Sequence, residues 1–291
     1  STDREVPLGS EPKPLGAPAP GPDAAEAWVA RHLTDLCGDE ARPSPAFRGG
    51  QHAADAALRG FDVSGYARRR NEVWPVARRG ASRLSPYIRH GLLPLPRVHA
   101  HVAGGPARDV RKFRDELLWQ EYARHLYARL GRRQGSALRR EPATSEYWRA
   151  ADPWRSDALA CVALAREELR RDGWLPNPAR MWLASHWTVR ERALWRAGED
   201  RFFRHLLDGS RAANRLGWQW TTGAAGGRPY GFSRWQVEKR APGLCDRCAL
   251  RDGCPIEDWP AARPARRIAA PAGLARDPDP AATGGPVAVE R

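Results

Sequence analysis

Three of the five cysteines stand close together near the end of the chain, in the stretch GLCDRCALRDGCP. The spacing C-x2-C-x5-C puts Cys245, Cys248 and Cys254 within ten positions, and a proline follows. Cysteines this close in sequence are typical metal ligands, but a tetrahedral site needs a fourth ligand. Four-cysteine zinc sites also use the C-x2-C spacing, so zinc is one candidate for the metal.

A second stretch, GASRLSPYIRHG over residues 80–91, is a glycine-led loop that enters a short helix. It carries hydroxyls at Ser82 and Ser85. Such a loop can offer backbone N–H groups and serine hydroxyls to a phosphate group. Taken alone the pattern is weak, because loops of this kind are more often plain helix caps.

Two further stretches combine aromatic and polar side chains. In DELLWQEYARHL, over residues 115–126, Glu116 and Trp119 are three residues apart and share a helix face. A carboxyl group beside an indole suits a pocket that stacks and hydrogen-bonds a base, although a surface glutamate near a core tryptophan has the same spacing. The stretch LLDGSRAANRLGWQW, over residues 206–220, adds Asp208, Asn214, Trp218 and Trp220.

The elements that must position these residues are helices. Apolar spacing predicts helices over 51–70, 94–103, 109–130, 179–194 and 198–207, and one that Ser156 caps and Gly173 ends. In the third of these, the predicted inner face carries Phe113, Leu117, Leu118, Tyr122, Leu126 and Leu130. Alternating strand patterns are absent. We therefore predict one all-α domain over residues 24–261, between disordered segments at 1–23 and 262–291 that are rich in Pro, Gly and Ala.

Composition adds a charge argument. The formal net charge is +14 and comes mainly from arginine. An anionic partner such as nucleic acid would explain this excess, and so would ordinary solvated helix faces in a chain that prefers arginine to lysine. No apolar run is long enough to span a membrane, and we find no signal peptide. We expect a cytoplasmic monomer that does not bind membranes and whose cysteines are thiols or metal ligands.

Taken together and in this order, these stretches resemble the flavin-binding helical domain of the DNA photolyase/cryptochrome family. The family's GTSRLSPYLxFG corresponds to GASRLSPYIRHG, and its ELxWREFxxHL corresponds to ELLWQEYARHL. Its GWxHNRxRM corresponds to GWLPNPARM, its W-R-x-G-E-x-x-F to WRAGEDRF, and its IDGDxAxNxGGWQW to LDGSRAANRLGWQW. The resemblance covers about residues 48–235, and it implies an FAD-binding all-α domain.

The resemblance also implies roles for individual residues toward FAD. Arg180 and Asp208 match an ion pair at the isoalloxazine ring, and Asn214 matches the residue that faces flavin N5. The positions that match residues around the FAD phosphates and ribityl chain are Tyr66, Ser82, Leu84 and Ser85.

The expected substrate is DNA that contains cyclobutane pyrimidine dimers, which light-driven electron transfer from reduced flavin would repair. The positions that match residues binding the flipped dimer are Glu116, Trp119, Asn177, Met181 and Trp220. Trp218, Trp195 and Trp148 match the electron-transfer chain to FAD. The alternatives are a cryptochrome-like light or redox sensor without repair activity, and a flavoprotein with other redox work.

Four positions depart from the family pattern. Ala81 replaces a threonine, and Ser210 replaces an aspartate near the flavin. Gln120 and Pro178 replace arginines that help to hold DNA, which favours the sensor alternative. Only about 45 residues precede the helical region, whereas family members usually begin with an α/β antenna domain; we expect neither that domain nor an antenna chromophore.

The cysteines resemble those of an iron–sulfur branch of the same family, which ends in a similar CxxC…CP pattern. In that branch the fourth ligand lies on the helix before the GWxHN-like motif, where this chain has Cys161. The resemblance therefore implies a [4Fe–4S] cluster held by Cys161, Cys245, Cys248 and Cys254. Zinc and a metal-free arrangement with a buried apolar Cys161 are the alternatives, and Cys37 is predicted to be a packed thiol.

Overall fold

The computed structural model describes residues 14–36, 42–142, 153–155, 158–226, 228–258 and 266–271. These residues divide into two units, one within residues 1–46 and the other within residues 47–291. The predicted cap Ser156, the thiol of Cys37 and the indole of Trp148 lie outside the described residues.

Helices dominate both units. The first unit holds α1 (Pro22–His32), which begins within the segment predicted to be disordered. The helices of the second unit are α2 (Gln51–Arg59), α3 (Tyr66–Arg69), α4 (Ser85–Arg89), α5 (Leu95–His101), α6 (Ala107–Leu130), α7 (Ala160–Asp172), α8 (Asn177–Ser185), α9 (Trp195–His205), α10 (Arg211–Thr221) and α11 (Arg234–Arg240). A π-helical turn, His186–Arg190, follows α8. The prediction of an all-α fold is confirmed.

The strands described are two residues long. β1 (Arg140–Glu141) pairs antiparallel with β2 (Arg266–Arg267), with Arg140 opposite Arg267. β2 falls within the tail that the sequence predicts to be disordered. This pairing joins two distant parts of the chain but adds no sheet layer.

The end of α7 is set by Gly173, as the sequence predicts. Gly173 has φ of 67°, in the left-handed region, and its N–H donates to the carbonyl of Leu169. A side chain is also excluded there, because a Cβ would lie 2.7 Å from Cγ of Leu207. Glycine adopts this conformation without steric cost, so the chain can leave α7 and enter the segment before α8.

The inner face predicted for α6 is only partly correct. Phe113, Leu126 and Leu130 are buried as predicted. Leu118 and Tyr122, however, are 66% and 51% exposed. A 24-residue helix presents different faces to different neighbours along its length, and apolar spacing alone does not say which stripe is covered.

The largest apolar core cluster packs α7, α8, α9 and α10 together. It contains the fully buried rings of Trp154, Trp182, Trp218 and Phe202, together with Cys161. Trp218 lies against Phe202, Trp154 and Trp187, with ring centroids 5.2, 6.3 and 6.4 Å apart. A second cluster packs α2 to α5 against the first half of α6.

No helix in the described part of the chain is long and apolar enough to cross a membrane.

The close approach of α9 to α10 depends on Gly198. A Cβ at this position would lie 2.2 Å from Cη2 of Trp218 and 3.0 Å from Cδ2 of Trp187. We predict that Gly198→Ala lowers the free energy of unfolding by about 1–3 kcal/mol, because the buried rings must shift.

Gly217→Ala is the matched control in urea unfolding of the full chain. Gly217 is also helical, and nothing lies within 4 Å of a Cβ built there. Alanine should raise stability there by roughly 0.5–1 kcal/mol through its better helix propensity. Equal effects of the two substitutions would contradict the packing assigned to Gly198.

Candidate functional site

A cavity of about 690 Å³ opens between α6, α8, α10 and α11. This volume is typical of a site for a ligand the size of a cofactor. The lining combines aromatic, amide and charged side chains: Asn71, Ser85, Glu116, Trp119, Gln120, Ala123, Asn177, Pro178, Arg180, Met181, Trp182, Asp208, Ser210, Ala213, Leu216, Gly217, Trp220, Tyr230, Trp235, Gln236, Lys239 and Arg240.

An ion pair between Arg180 and Asp208 lies in the cavity wall. Nη1 and Nη2 of Arg180 donate to Oδ1 and Oδ2 of Asp208 at 3.1 and 2.7 Å, and Nε donates to the carbonyl of Leu175 at 2.8 Å. The Asp208 side chain is only 5% exposed, whereas that of Arg180 is 25% exposed. The two-point contact fixes the plane of the guanidinium, so its orientation toward the cavity is set before any ligand binds.

Glu116 reaches the cavity from α6 and is held by two cations. Its Oε1 lies 2.9 Å from Nζ of Lys112 and 3.3 Å from Nε of Arg70. Lys112 is one helical turn away on the same face, and Arg70 follows α3. The carboxylate is 39% exposed, so it remains accessible to a ligand while its charge is balanced by its neighbours.

The remaining predicted substrate residues line the same cavity, although they come from three different helices. Trp119 on α6 and Trp220 on α10 are 60% and 51% exposed. Asn177 begins α8, and Met181 lies one turn later, where the Thr221 hydroxyl is 3.8 Å from its sulfur. The structure thus brings together every residue that the sequence assigns to the substrate.

The predicted phosphate-side residues are only partly in the cavity lining. Ser85 lines the cavity, and its hydroxyl accepts a hydrogen bond from Nε1 of Trp174 at 3.0 Å. Ser82 instead accepts from the backbone N–H of Leu84, whose side chain is fully buried. Tyr66 packs edge-on against Phe113 at 5.1 Å, and burial raises the pKa of its hydroxyl, with nearby Glu116 raising it further.

Asn214 does not line this cavity. Its Nδ2 donates to the backbone carbonyl and to Oε1 of Glu199, at 2.9 and 3.0 Å. Glu199 is fully buried and also pairs with Arg196, Arg211 and Arg215. The amide is therefore part of a polar network around the buried Glu199 carboxylate, between α9 and α10, which sequence spacing could not indicate.

The described members of the predicted tryptophan chain are Trp218 and Trp195. Trp218 and Trp195 are both buried, but the rings found against Trp218 in the described chain are those of Trp154, Trp187 and Phe202. Trp195 lies instead beneath the guanidinium of Arg196, 5.2 Å from the ring centroid. The ring centroids of Trp154 and Trp187, for which the family resemblance implies no role, are 4.8 Å apart.

α11 forms a wall of the cavity that the sequence did not predict. Trp235 and Lys239 are one helical turn apart, and Nζ of Lys239 lies 4.6 Å from the indole centroid. Trp182 and Tyr230 were also missed; the ring of Tyr230 lies 5.3 Å from that of Trp220. The spacing of Trp235 and Lys239 at i and i+4 could have indicated this wall, because residues at that spacing share a helix face.

The four cysteines assigned to a metal line a second, narrow cavity of about 10 Å³. Cys161 reaches it from α7 and the other three from the segment after α11. Burial raises the pKa of the Cys161 thiol to about 12 and that of the Cys245 thiol to about 11. Among the residues that the structure describes, no three His, Cys, Asp or Glu side chains are arranged to hold a metal ion.

Comparison with protein-family models gives one match. Residues 113–235 match the model described as the FAD binding domain of DNA photolyase. The matched range contains α7 to α10 and most of α6, and therefore three of the four helices around the large cavity.

Curated relatives give a consistent result. A deoxyribodipyrimidine photo-lyase of Thermus thermophilus is 33% identical over 228 residues, which is 71% of this chain and 50% of the relative. One from Vibrio cholerae is 33% identical over 178 residues, which is 53% of this chain and 35% of the relative. The chain thus spans about half the length, or less, of these relatives.

Solved structures with the same fold include a bacterial class III photolyase from Agrobacterium tumefaciens. It has a TM-score of 0.57 at 25% identity, over 68% of this chain and 44% of that one. A Synechocystis cryptochrome has a TM-score of 0.60 at 22% identity, over 69% of this chain and 48% of that one. An archaeal photolyase from Sulfolobus tokodaii, solved with two FAD molecules, has a TM-score of 0.58 at 24% identity, over 71% and 48%.

The Arg180–Asp208 pair predicts a stability effect. Asp208→Asn leaves the guanidinium without its charged partner in a mostly buried position, so we expect the free energy of unfolding to fall by about 2–3 kcal/mol. Urea unfolding of the full chain measures this change. The control is Glu121→Gln, which breaks an exposed pair with Arg124 and should have a far smaller effect. If both variants lose a similar free energy of unfolding, the Asp208 carboxylate is no more important to stability than an exposed ion-pair partner, and the prediction is contradicted.

Proposed function

Residues 113–235 match the FAD binding domain of DNA photolyase, and from this match we propose that the protein repairs cyclobutane pyrimidine dimers in DNA with light. One observation carries the proposal. The Arg180–Asp208 pair, which matches the flavin site, lines the same cavity as Glu116, Trp119 and the rest of the predicted dimer pocket. A flavin and a flipped base could therefore meet in one cavity.

The residues around the Arg180–Asp208 pair suit the flavin ring. Reduced FAD, if bound and excited by light, would supply an electron that splits the two bonds joining the pyrimidines and is then returned, so there would be no net oxidation. Arg180 would bind the polar atoms of the ring, and Asp208 holds its guanidinium in place. Tyr66, Ser82, Leu84 and Ser85 are proposed for the phosphate and ribityl side. Asn214 is proposed to face flavin N5, and its Nδ2 is held by Glu199.

The dimer is proposed to bind between exposed rings at the cavity mouth. Trp119 and Trp220 offer flat apolar faces to the pyrimidines, and a base must leave the helix stack to reach them. Glu116 can accept hydrogen bonds from pyrimidine N–H groups, and the Asn177 amide can serve both carbonyl and N–H groups. Met181 fills the apolar side of the same wall.

Electrons that restore the reduced flavin are proposed to pass through a chain of indoles. Trp218 remains the predicted first member, with Trp195 and Trp148 as the later members. The ring contacts of Trp218 support Trp154 and Trp187 as additional carriers, because their centroids lie within 6.4 Å of it.

Illumination of the reduced, FAD-loaded protein with a dimer-containing oligonucleotide tests the function. We expect the wild type to remove dimers only in blue or near-UV light. Glu116→Ala should lower the repair rate about tenfold or more at equal FAD content, because a hydrogen bond to a charged group contributes about 1.5–3 kcal/mol.

Glu121→Ala is the matched control, because Glu121 lies on the same helix but does not line the cavity. It should repair at the wild-type rate. Dimers that persist in light, in a protein whose flavin photoreduces normally, would overturn the repair proposal.

A light or redox sensor is the second candidate function. Gln120 and Pro178 line the cavity at two positions where the family resemblance implies arginines that hold DNA. The loss of these arginines favours a protein that responds to the redox state of its flavin and does not repair DNA. Normal photoreduction combined with persistent dimers is the outcome that supports this candidate.

For the second cavity we propose a [4Fe–4S] cluster held by Cys161, Cys245, Cys248 and Cys254. All four thiols line one space, yet no three are arranged around a single ion, and in such a cluster each thiolate binds a different iron. Arg234 and Arg251 line the same cavity, and each also pairs with a carboxylate, Arg234 with Glu238 and Arg251 with Asp252. Cys245 lies in the first of two short turns after α11, Cys248 directly follows that turn, and Cys254 directly follows the second, so all three proposed ligands come from one short segment.

Metal analysis of anaerobically purified protein tests this proposal. We expect about four iron atoms per chain and a broad absorption shoulder that reductant bleaches. Alanine at any of the four cysteines should remove the iron, while Cys37→Ala retains it. About one zinc per chain would assign the site to zinc, and protein without either metal would contradict both assignments.

A further inference from the structure

The mouth of the large cavity has an unusual surface. Nine large apolar or aromatic side chains are exposed in the described part of the chain, and five of them line this mouth or adjoin it on α6: Leu118, Trp119, Tyr122, Trp220 and Trp235. A concentration of this kind marks a binding surface, because scattered exposed apolar residues would not gather at one opening.

We propose that this aromatic rim binds single-stranded DNA on either side of the flipped dimer, and that the protein therefore prefers single-stranded over duplex substrate. The proposal rests on the nucleic-acid function proposed above. It assigns a role to residues outside the predicted dimer pocket, namely Leu118, Tyr122, Trp235 and Lys239.

One side of the rim lies on α6. Trp119 and Tyr122 are three residues apart and pack edge to face, with ring centroids 5.8 Å apart. Leu118 lies one turn before Tyr122 and is 66% exposed. The rings hold each other in place while their outer surfaces stay open, so they offer a preformed platform to a base beyond the cavity.

Another side of the rim lies on α11. Trp235 is 62% exposed even though Nζ of Lys239 lies 4.6 Å from its ring centroid. Among the described residues Lys239 has no carboxylate within ion-pair distance, so its charge is available to a phosphate. An indole and an ammonium on adjacent turns match the alternation of base and phosphate along one strand.

The charge around the rim favours a polyanion over a protein or a membrane. Arg240 lines the cavity beside Lys239, and the formal net charge of the chain is +14. Glu116, Glu121 and Glu238, on the two rim helices, each pair with a lysine or arginine. Asp115 is the remaining acidic residue near the α6 platform.

The preference for a single strand follows from what each form of DNA exposes. A duplex keeps its bases stacked and presents phosphates, which arginines hold best. Here the cavity has Gln120 and Pro178 at the positions that correspond to DNA-holding arginines. A single strand has free base faces, and stacking each one on an aromatic side chain contributes about 1–3 kcal/mol without regard to sequence.

Binding in the dark to undamaged DNA tests the proposal independently of repair. The probes are a fluorescent 16-nucleotide thymidine strand and a 16-base-pair duplex, measured by anisotropy with the full FAD-loaded protein. We expect the single strand to bind more tightly. Trp235→Ala should weaken single-strand binding about 5- to 100-fold and change duplex binding less than twofold, while Trp235→Phe restores most of the affinity.

Two further variants sharpen the test. Tyr122→Ala should act like Trp235→Ala, whereas Leu194→Ala removes an exposed apolar side chain outside the cavity lining and should change nothing. Tighter binding of the duplex, or equal losses of both probes in Trp235→Ala, would overturn the proposal. Measuring dimer repair in both DNA forms distinguishes the two proposals. If both forms are repaired equally and Trp235→Ala changes neither binding nor repair, only the proposed role of the aromatic rim is rejected. If no repair occurs but single strands still bind selectively, only the proposed photolyase function is rejected.

Discussion

The ion pair between Arg180 and Asp208 is the interaction on which the site depends. It connects the first turn of α8 with the turn between α9 and α10, and the same guanidinium also holds the carbonyl of Leu175. The N–H of Leu207 donates to the carbonyl of Gly173 beside it, so the end of α7 is fixed to the same turn. This crossing point therefore ties α8 to the start of α10, and with them two walls of the cavity.

The tryptophans serve two different purposes. Trp154 and Trp218 are almost completely buried and fill the core behind the cavity, where Gly198 makes room for Trp218. The equally buried Trp182 forms part of the cavity wall. Trp119, Trp220 and Trp235 are instead more than half exposed at its mouth. Burying a large ring stabilises the fold, whereas an exposed ring is an unused binding surface in the free protein. This contrast supports a nucleic-acid ligand.

Much of the site could be predicted because its residues lie in short, specific motifs. The Arg180–Asp208 pair and the convergence of Glu116, Trp119 and Trp220 on one cavity agree with the sequence analysis. The contacts that it missed depend on how helices meet. The partner of Asn214 is a buried glutamate on α9, and the neighbours of Trp218 come from separate segments. The exposure of Leu118 and Tyr122 also depends on which face of α6 its neighbours cover, and helical spacing does not contain that information.

A crystal structure of the FAD-loaded protein tests the central claim most directly. The account predicts electron density for an isoalloxazine ring beside the Arg180–Asp208 pair, within reach of the opening between Trp119 and Trp220. The same crystals soaked with a dimer-containing oligonucleotide should show the flipped bases in the remaining space of this cavity. A flavin bound elsewhere, or a purified protein that takes up no flavin, would contradict the account.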